Sequence, residues 1–110
     1  MTEITSSLIV RALDGLSARS AATAENIANA GTPNFRPLRV TFEEALTAAA
    51  RDGRPMASVQ PQIAAAAEGE SVRLDLELAT ASSTALRYSA LTELLGRQMQ
   101  IHSIAISGGQ

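Results

Sequence analysis

Apolar side chains near the start of the chain recur at the spacing of an amphipathic helix. From about Ile4 to Ala30 they fall every three or four residues, which places them on one face of an α-helix. That face consists of Ile9, Leu13, Leu16, Ala24 and Ile27, with Leu8 and Ala12 beside it. Thr2 or Thr5 is expected to cap the start, because a threonine oxygen accepts a hydrogen bond from a free amide of the first turn. Residues 1–30 therefore form the predicted N-terminal helical segment.

A second long helix is predicted over residues 71–106, with Ser71 as its N-terminal cap. At about 1.5 Å per residue it would be roughly 54 Å long. Its apolar and small residues alternate in steps of three and four, which is typical of one face of a coiled coil. The predicted coiled-coil face consists of Leu76, Ala79, Ser83, Leu86, Ala90, Leu94, Ile101 and Ile104.

The last third of this helix is apolar over a wide arc. At about 100° per residue, its large apolar side chains spread over roughly 220° of the helix surface. Packing on one partner needs about half that width. The residues concerned are Leu91, Leu94, Leu95, Met99, Ile101, Ile104 and Ile106. One neighbouring helix cannot cover them all, and a large exposed apolar surface usually marks a contact between proteins.

The region between the two helices has a different pattern. Apolar and polar residues alternate over residues 38–42, as in a short strand or extended segment. A capping box is predicted next, with Thr41 at the N-cap and Glu44 reaching back to it, followed by a short helix to about Arg51. The sequence Asp-Gly-Arg-Pro ends that helix as a turn. Residues 56–69 are expected to form a surface loop that can hold one helical turn.

These elements predict an all-α fold in a single domain, residues 1–110. Long N- and C-terminal helices pair as a coiled coil and are joined by residues 31–70, a short extended or loop region with one small helix. Only 25 residues are Leu, Ile, Val or Phe, whereas 21 are alanine, which favours helix but buries little surface. The expected intramolecular core is therefore small, and stability is expected to come from long helices packed against other chains.

Charge and residue chemistry argue against nucleic-acid binding and catalysis. The net charge is −2, and the nine basic residues, all arginine, are scattered, so no basic patch marks a nucleic-acid site. The chain has no cysteine and therefore no thiolate ligand or nucleophile. His102, the single histidine, has no partner at the spacing of metal ligands. We expect no enzyme activity, no metal, no cofactor and no small-molecule substrate.

The N-terminus lacks the features of a cleavable signal peptide. Met1-Thr2-Glu3-Ile4 carries no basic side chain, and the longest apolar run near it is Leu8-Ile9-Val10. No segment approaches the ~20 apolar residues of a membrane-spanning helix. If the protein leaves the cytoplasm, another export route is expected.

Residues 26–35 mark the end of the first helix. Gly31 is expected in the left-handed conformation that ends many helices, and Pro33 prevents the helix from continuing. The short amides of Asn26 and Asn29 are able to bond helix-end carbonyls or the first loop amides. The sequence leaves open whether they bond within the chain or across subunits.

The stretch Asn26-Ile27-Ala28-Asn29-Ala30, followed by Thr32-Pro33-Asn34-Phe35, resembles the N-terminal motif of bacterial flagellar rod, hook and hook-junction proteins. Residues 39–46 and 86–95, the latter followed by 104–106, resemble the proximal-rod members of that family. Asn34 stands where the family commonly has glycine, and Phe35 where it usually has tyrosine. Gly31 replaces a commonly polar residue. The turn residues that carry the resemblance are Asn26, Ile27, Asn29, Gly31, Thr32, Pro33 and Phe35.

The resemblance implies a structural subunit of the proximal rod of the flagellar basal body. Such subunits are exported unfolded by the type III apparatus, without a cleavable signal peptide, and polymerise in the periplasm through paired helices into a rod that transmits torque. The implied partners are other copies, other rod proteins, the junction proteins between membrane ring and rod, and the export apparatus. The residues expected in subunit packing are Leu86, Tyr88, Leu91, Leu94, Leu95, Met99, Ile101 and Ile104.

Residues 42–46 have a second implied role. Phe42 and Leu46 resemble the aromatic-x-x-x-apolar element proposed as an export-gate signal in rod and hook substrates. Packing of a short amphipathic helix explains the same two residues equally well.

Three other functions fit parts of the sequence. Another proximal-rod protein of the same family differs only in its position in the rod. A soluble helical adaptor or secretion chaperone would bind partner helices and be well folded at low concentration. A membrane-surface helix would need cationic residues beside its apolar face, and after Tyr88 the chain offers only Arg97.

Overall fold

The computed structural model describes residues 3–108, and its main elements are two long helices. Helix α1 spans Glu3–Ala28 and helix α3 spans Leu74–Gly108. Between them, the described residues form strand β1 (Leu38–Thr41), helix α2 (Glu43–Asp52), a 3₁₀ turn (Met56–Ser58) and strand β2 (Gln62–Ala65). The predicted long helices and the short middle helix are confirmed, although their ends are shifted by one to three residues.

The two long helices lie side by side in opposite directions. Asn26, near the end of α1, bonds Glu77, near the start of α3, at 3.1 Å. Glu3, at the start of α1, lines a groove with His102, near the end of α3. The molecule is accordingly elongated, with dimensions of 64 × 27 × 14 Å.

Helix α3 meets α1 with a face other than the predicted one. Glu77 and Thr84, 5% and 3% exposed, lie on this inner face together with half-buried Leu91 and Leu95. The predicted coiled-coil face is exposed instead, and we call it the outer stripe: Leu76, Ala79, Ser83, Leu86, Ala90, Leu94, Ile101 and Ile104. The two faces are offset by one residue, or about 100° around the helix. The prediction was wrong here because apolar periodicity identifies a face but does not identify what covers it.

The buried face of α1 also differs from the prediction near its C-terminal end. Ile9 and Leu16 are buried as expected, whereas Ala24 is exposed. Thr23 and Asn26 are buried in its place, at 3% and 1% exposure. Two polar residues take these positions because β1 and the start of α3 cover this side of α1.

The hydrophobic core lies where the middle region covers α1. Its buried members are Leu16, Ala22, Val40, Phe42, Leu46, Ala49, Met56 and Val59. The ring of Phe42 lies directly against Gly15, where a Cβ atom would collide with it. Glycine costs helix stability at an interior position, but here it allows the aromatic ring to approach the α1 backbone.

Strands β1 and β2 form a two-stranded antiparallel sheet, so the all-α prediction is wrong for this region. Leu38 pairs with Ala65, and Val40 pairs with Ile63. Strand β2 lies in the stretch predicted as a surface loop. No strand was predicted there because its alanines give no strand signal. Pairing with β1 makes it a strand, and the bond from the Ala66 amide to the Pro37 carbonyl, 2.7 Å, extends the pairing.

Several predicted helix caps are not found. Phe42 occupies the N-cap position of α2 without a side-chain bond, and Thr41 is the last residue of β1, so the predicted capping box is wrong. Helix α3 begins at Leu74, three residues after Ser71. Thr5 lies inside α1, and Thr2 lies outside the described residues.

The turn after α2 agrees with the sequence. Gly53 adopts a left-handed conformation with φ of 70°, and the Arg54 amide bonds the Ala49 carbonyl at 2.9 Å. Among the described residues, no helix is long and apolar enough to cross a membrane.

Candidate functional site

Asn29 shapes the turn that follows α1. Its Nδ2 donates to the Glu25 carbonyl at 2.9 Å, which satisfies one of the free carbonyls at the helix end. Its Oδ1 accepts from the Thr32 hydroxyl at 3.1 Å, and the Thr32 amide bonds the Asn29 carbonyl at 2.9 Å. The Phe35 amide then bonds the Thr32 carbonyl at 3.2 Å. Asn29 therefore has one of the two roles predicted for it, and its bonds lie within the chain.

The left-handed residue of this turn is Asn34 and not Gly31. Asn34 has φ of 63°, whereas Gly31 is absent from the positive-φ residues of the described chain. The prediction for Gly31 was wrong because the helix end runs on into further turns, including the bond from the Ala30 amide to the Ile27 carbonyl. Asparagine tolerates this conformation better than most residues. Pro33 is exposed, and Ile27 and Phe35 are half-buried.

The side chain of Asn26 bonds the backbone of β1 in the way that a neighbouring strand would. Its Oδ1 accepts from the Leu38 amide at 2.8 Å, and its Nδ2 donates to the Leu38 carbonyl at 3.0 Å. Ladder bonds alternate along an antiparallel strand, so Leu38 turns its backbone groups away from β2 and toward α1. Asn26 is only 1% exposed and bonds within the chain.

A second bond from Asn26 connects it to a buried carboxylate. Its Nδ2 lies 3.1 Å from Oε2 of Glu77, which is 5% exposed, and Arg39 Nη1 lies 3.1 Å from the other oxygen, Oε1. Arg39 Nη2 also contacts Glu70 at 3.0 Å. We call Asn26, Arg39, Glu70 and Glu77 the polar junction, because it joins the end of α1, strand β1 and the start of α3.

The sequence indicated only one residue of the polar junction. Asn26 belongs to the turn motif, but Arg39 had the pattern of a solvated strand position, and Glu77 that of an acidic residue in the first turn of a helix. Glu77 lies one residue after a member of the outer stripe, which is the spacing of the inner face. That spacing is the signal that could have identified it. Its partners are 38 and 51 residues away along the chain, beyond the reach of local patterns.

An arginine clamp fixes the start of α2 on α1. Arg19 donates to the two carboxylate oxygens of Glu43 at 2.6 and 2.8 Å and to the Val40 carbonyl at 2.7 Å. Its guanidinium carbon lies 4.8 Å from the centre of the Phe42 ring. The hydrogen bond from Arg19 is the main cause that lowers the pKa of Glu43 from 4.5 to about 2, and the same bond raises the pKa of Arg19.

The residues of the implied export element lie in the core. Phe42 and Leu46 are each 5% exposed and belong to the cluster beside α1. In the folded chain neither side chain is accessible to a binding partner. Any recognition of these two residues therefore requires an unfolded chain.

Most residues predicted for subunit packing lie on the surface. The exposed ones are Leu86 (73%), Tyr88 (42%), Leu94 (41%), Met99 (66%), Ile101 (57%) and Ile104 (62%). Leu91 and Leu95 are half-buried on the inner face, so they are shared with the contact to α1. Residues 99–108 are all exposed, which leaves the last turns of α3 with no buried side chain in the described chain.

An apolar groove lies where the start of α1 meets the end of α3. It has a volume of about 680 Å³ and is lined by Glu3, Ser6, Gln98, Met99, Ile101, His102 and Ala105. His102 belongs to this groove, and residues 3–108 contain no group of three or more His, Cys, Asp or Glu side chains that could hold a metal ion.

No model of a known protein family matches the chain, and no curated protein matches it.

Proposed function

We propose that this chain is a structural subunit of the proximal rod of the bacterial flagellar basal body, similar to the rod protein FlgB, and that it polymerises through α1 and α3 as paired helices. The observation that carries the proposal is the outer stripe. Helix α3 already packs on α1, yet a second face with coiled-coil spacing remains exposed along most of its length. An exposed apolar surface of that extent usually marks a contact between proteins.

The distribution of buried and exposed apolar side chains within the molecule supports the proposal. The buried members of the hydrophobic core come from the middle region and α1, and half-buried Leu91 of α3 packs against them. The end of α3 contributes no buried side chain to it. Packing of neighbouring subunits would cover Met99, Ile101 and Ile104, which are 57–66% exposed in the single chain. The subunit would thus complete its apolar packing only in the polymer, where the paired helices would form coiled coils and transmit torque along the rod.

The turn motif has a matching role in this proposal. Asn26 and Asn29 use their bonds to fix the exit of the chain from α1 and to dock β1 on it. These bonds fix the middle region to the helix pair, as a regular polymer requires. Partners implied for such a subunit are other copies, other rod proteins, the junction proteins at the membrane ring and the type III export apparatus, with a location in the periplasmic rod.

A charge placed in the outer stripe tests this function. Leu94→Asp should abolish incorporation into rods while leaving expression intact, since a carboxylate at the interface loses water without gaining a partner. Thr92→Asp is the matched control, because Thr92 is exposed on the same helix but lies outside the outer stripe. Basal bodies are purified from cells that carry each variant, and swimming is scored. Functional rods built from Leu94→Asp would contradict the proposal.

A soluble adaptor that binds partner helices is the second candidate. It is favoured by the folded core around Phe42, which gives the isolated chain a stable part of its own. Circular dichroism measured against concentration, together with sedimentation, separates the two functions. Helicity that rises as oligomers form supports the rod subunit, and a fully helical monomer that persists on dilution supports the adaptor.

A further inference from the structure

Helix α3 does not bury its more apolar face against α1. The inner face begins with Glu77, Thr80 and Thr84, and its large apolar residues come only later, at Leu91 and Leu95. The outer stripe carries five large apolar side chains, and all of them are exposed: Leu76, Leu86, Leu94, Ile101 and Ile104. Apolar burial alone would favour the opposite arrangement, since its free energy increases with the apolar area removed from water. Another interaction must select the inner face.

The polar junction supplies that interaction. The carboxylate of Glu77 is held by Asn26 on one oxygen and by Arg39 on the other, each at 3.1 Å. A rotation of α3 by one residue would replace Glu77 with Leu76 at this point. Glu77 would lose both bonds, and Arg39 would lose its ion pair with Glu77 while keeping its contact with Glu70. The buried Nδ2 group of Asn26 would lose one of its two acceptors, which is costly away from water.

We propose that Glu77 is the positioning residue that selects the rotation of α3 on α1 and thereby keeps the outer stripe exposed. Buried polar residues set the register of paired helices in other proteins at a cost in stability. In this chain Glu77 selects between two faces of one helix. The inference deepens the proposed function, on which its importance for assembly rests, but the rotation itself is tested without any assembly.

Two neighbouring residues report the rotation. Thr84 is 3% exposed on the inner face, and Ser83 is exposed on the outer stripe. Since the chain has no cysteine, Ser83→Cys and Thr84→Cys each introduce a single thiol. With Glu77 present, the thiol at 83 should react with DTNB about tenfold or more faster than the thiol at 84, because a buried group reacts only through local opening.

Replacing Glu77 should reverse this order. In a Glu77→Leu background the outer stripe is expected to turn toward α1, so that the thiol at 84 becomes the faster one while circular dichroism remains helical. Glu93→Leu is the matched control, because Glu93 is exposed on α3 and pairs with Arg97 on the same helix, away from the polar junction. It should leave the order unchanged. Glu77→Gln keeps the shape of the side chain and an oxygen that accepts from Asn26, and should preserve the native order.

Two outcomes contradict the inference. Native reactivity in a helical Glu77→Leu protein would show that apolar packing already selects the inner face. If Glu77→Leu loses helicity, Glu77→Ala is measured in the same way, and loss of helicity in both would show that no alternative packing exists. A reversed order combined with normal rods would preserve the rotation but remove its role in assembly. Failure of the rotation test leaves the Leu94→Asp test unaffected.

Discussion

At the scale of single residues, the asparagines of the turn after α1, and not its glycine, determine how the helix ends and the chain reverses. Asn29 bonds the Glu25 carbonyl, as the sequence suggested, and Asn34 takes the left-handed conformation that was expected at Gly31. A helix stop can be predicted from Gly and Pro because their backbone constraints are local. The residue that reverses the chain cannot be predicted in the same way, because its identity depends on where β1 docks on Asn26.

Gly15 gives the sharpest prediction at this scale. Gly15→Ala should lower the melting temperature by several degrees, because the new methyl group collides with the buried ring of Phe42. Overpacking of this kind typically costs about 1–3 kcal/mol, more than the ~1 kcal/mol that alanine gains in helix propensity. Differential scanning calorimetry at neutral pH measures the change.

Gly96→Ala is the control for this prediction. Gly96 lies inside α3, and a Cβ atom there would meet nothing within 4 Å. Only the propensity gain of up to ~1 kcal/mol remains, so the melting temperature should rise. If Gly15→Ala is as stabilising as Gly96→Ala, the contact between Gly15 and Phe42 is wrong.

At the scale of elements, the sequence predicted the helices well and their mutual arrangement poorly. Long periodic patterns and the turn at Gly53 define α1, α2 and α3, since those signals are local. Strand β2 was missed because alanine favours helix, and only pairing with β1 makes the segment extended. The rotation of α3 was missed for a similar reason, since it depends on contacts between residues 26, 39 and 77. The sequence grouped the residues of the outer stripe on one face of the helix, but it assigned that face to helix pairing, and the face is exposed in the single chain.

The docking of α2 on α1 should depend on pH through Glu43. Its pKa is about 2 in the folded chain, below its ordinary value of 4.5. Because this pKa is depressed, the ion pair with Arg19 stabilises the folded chain fully above about pH 4.5. This stabilisation is lost as the pH falls toward 2. The carboxylate is half exposed, so after solvent screening the ion pair contributes about 1 kcal/mol to the free energy of unfolding.

Melting temperatures of the native chain and Glu43→Gln test this pH dependence. The variant should melt a few degrees lower at pH 7, and the two should converge near pH 2. Glu44→Gln removes the same charge from the same turn without touching Arg19, so it should have a smaller effect at pH 7. A difference between Glu43→Gln and the native chain that persists unchanged at pH 2 would contradict the assigned ion pair.

At the scale of the whole molecule, the fold and the proposed export role place opposite requirements on the same side chains. Phe42 and Leu46 are buried in the core of the folded chain, yet an export signal must be accessible. Both demands are met if the element is read before the chain folds and is then hidden in the core. Under the proposed export role, folding would hide this element once the chain has been exported.

A pair of core variants distinguishes an export signal from simple packing. Phe42→Ala and Leu16→Ala each truncate a buried side chain of the same cluster, 5% and 3% exposed, and should each destabilise the fold by about 2–5 kcal/mol. Only Phe42 belongs to the implied export element, so Phe42→Ala should reduce secretion into the medium of a rod-deficient strain while Leu16→Ala does not. The ratio of secreted to cellular protein is measured for both. Equal secretion of the two variants would leave Phe42 with a packing role alone.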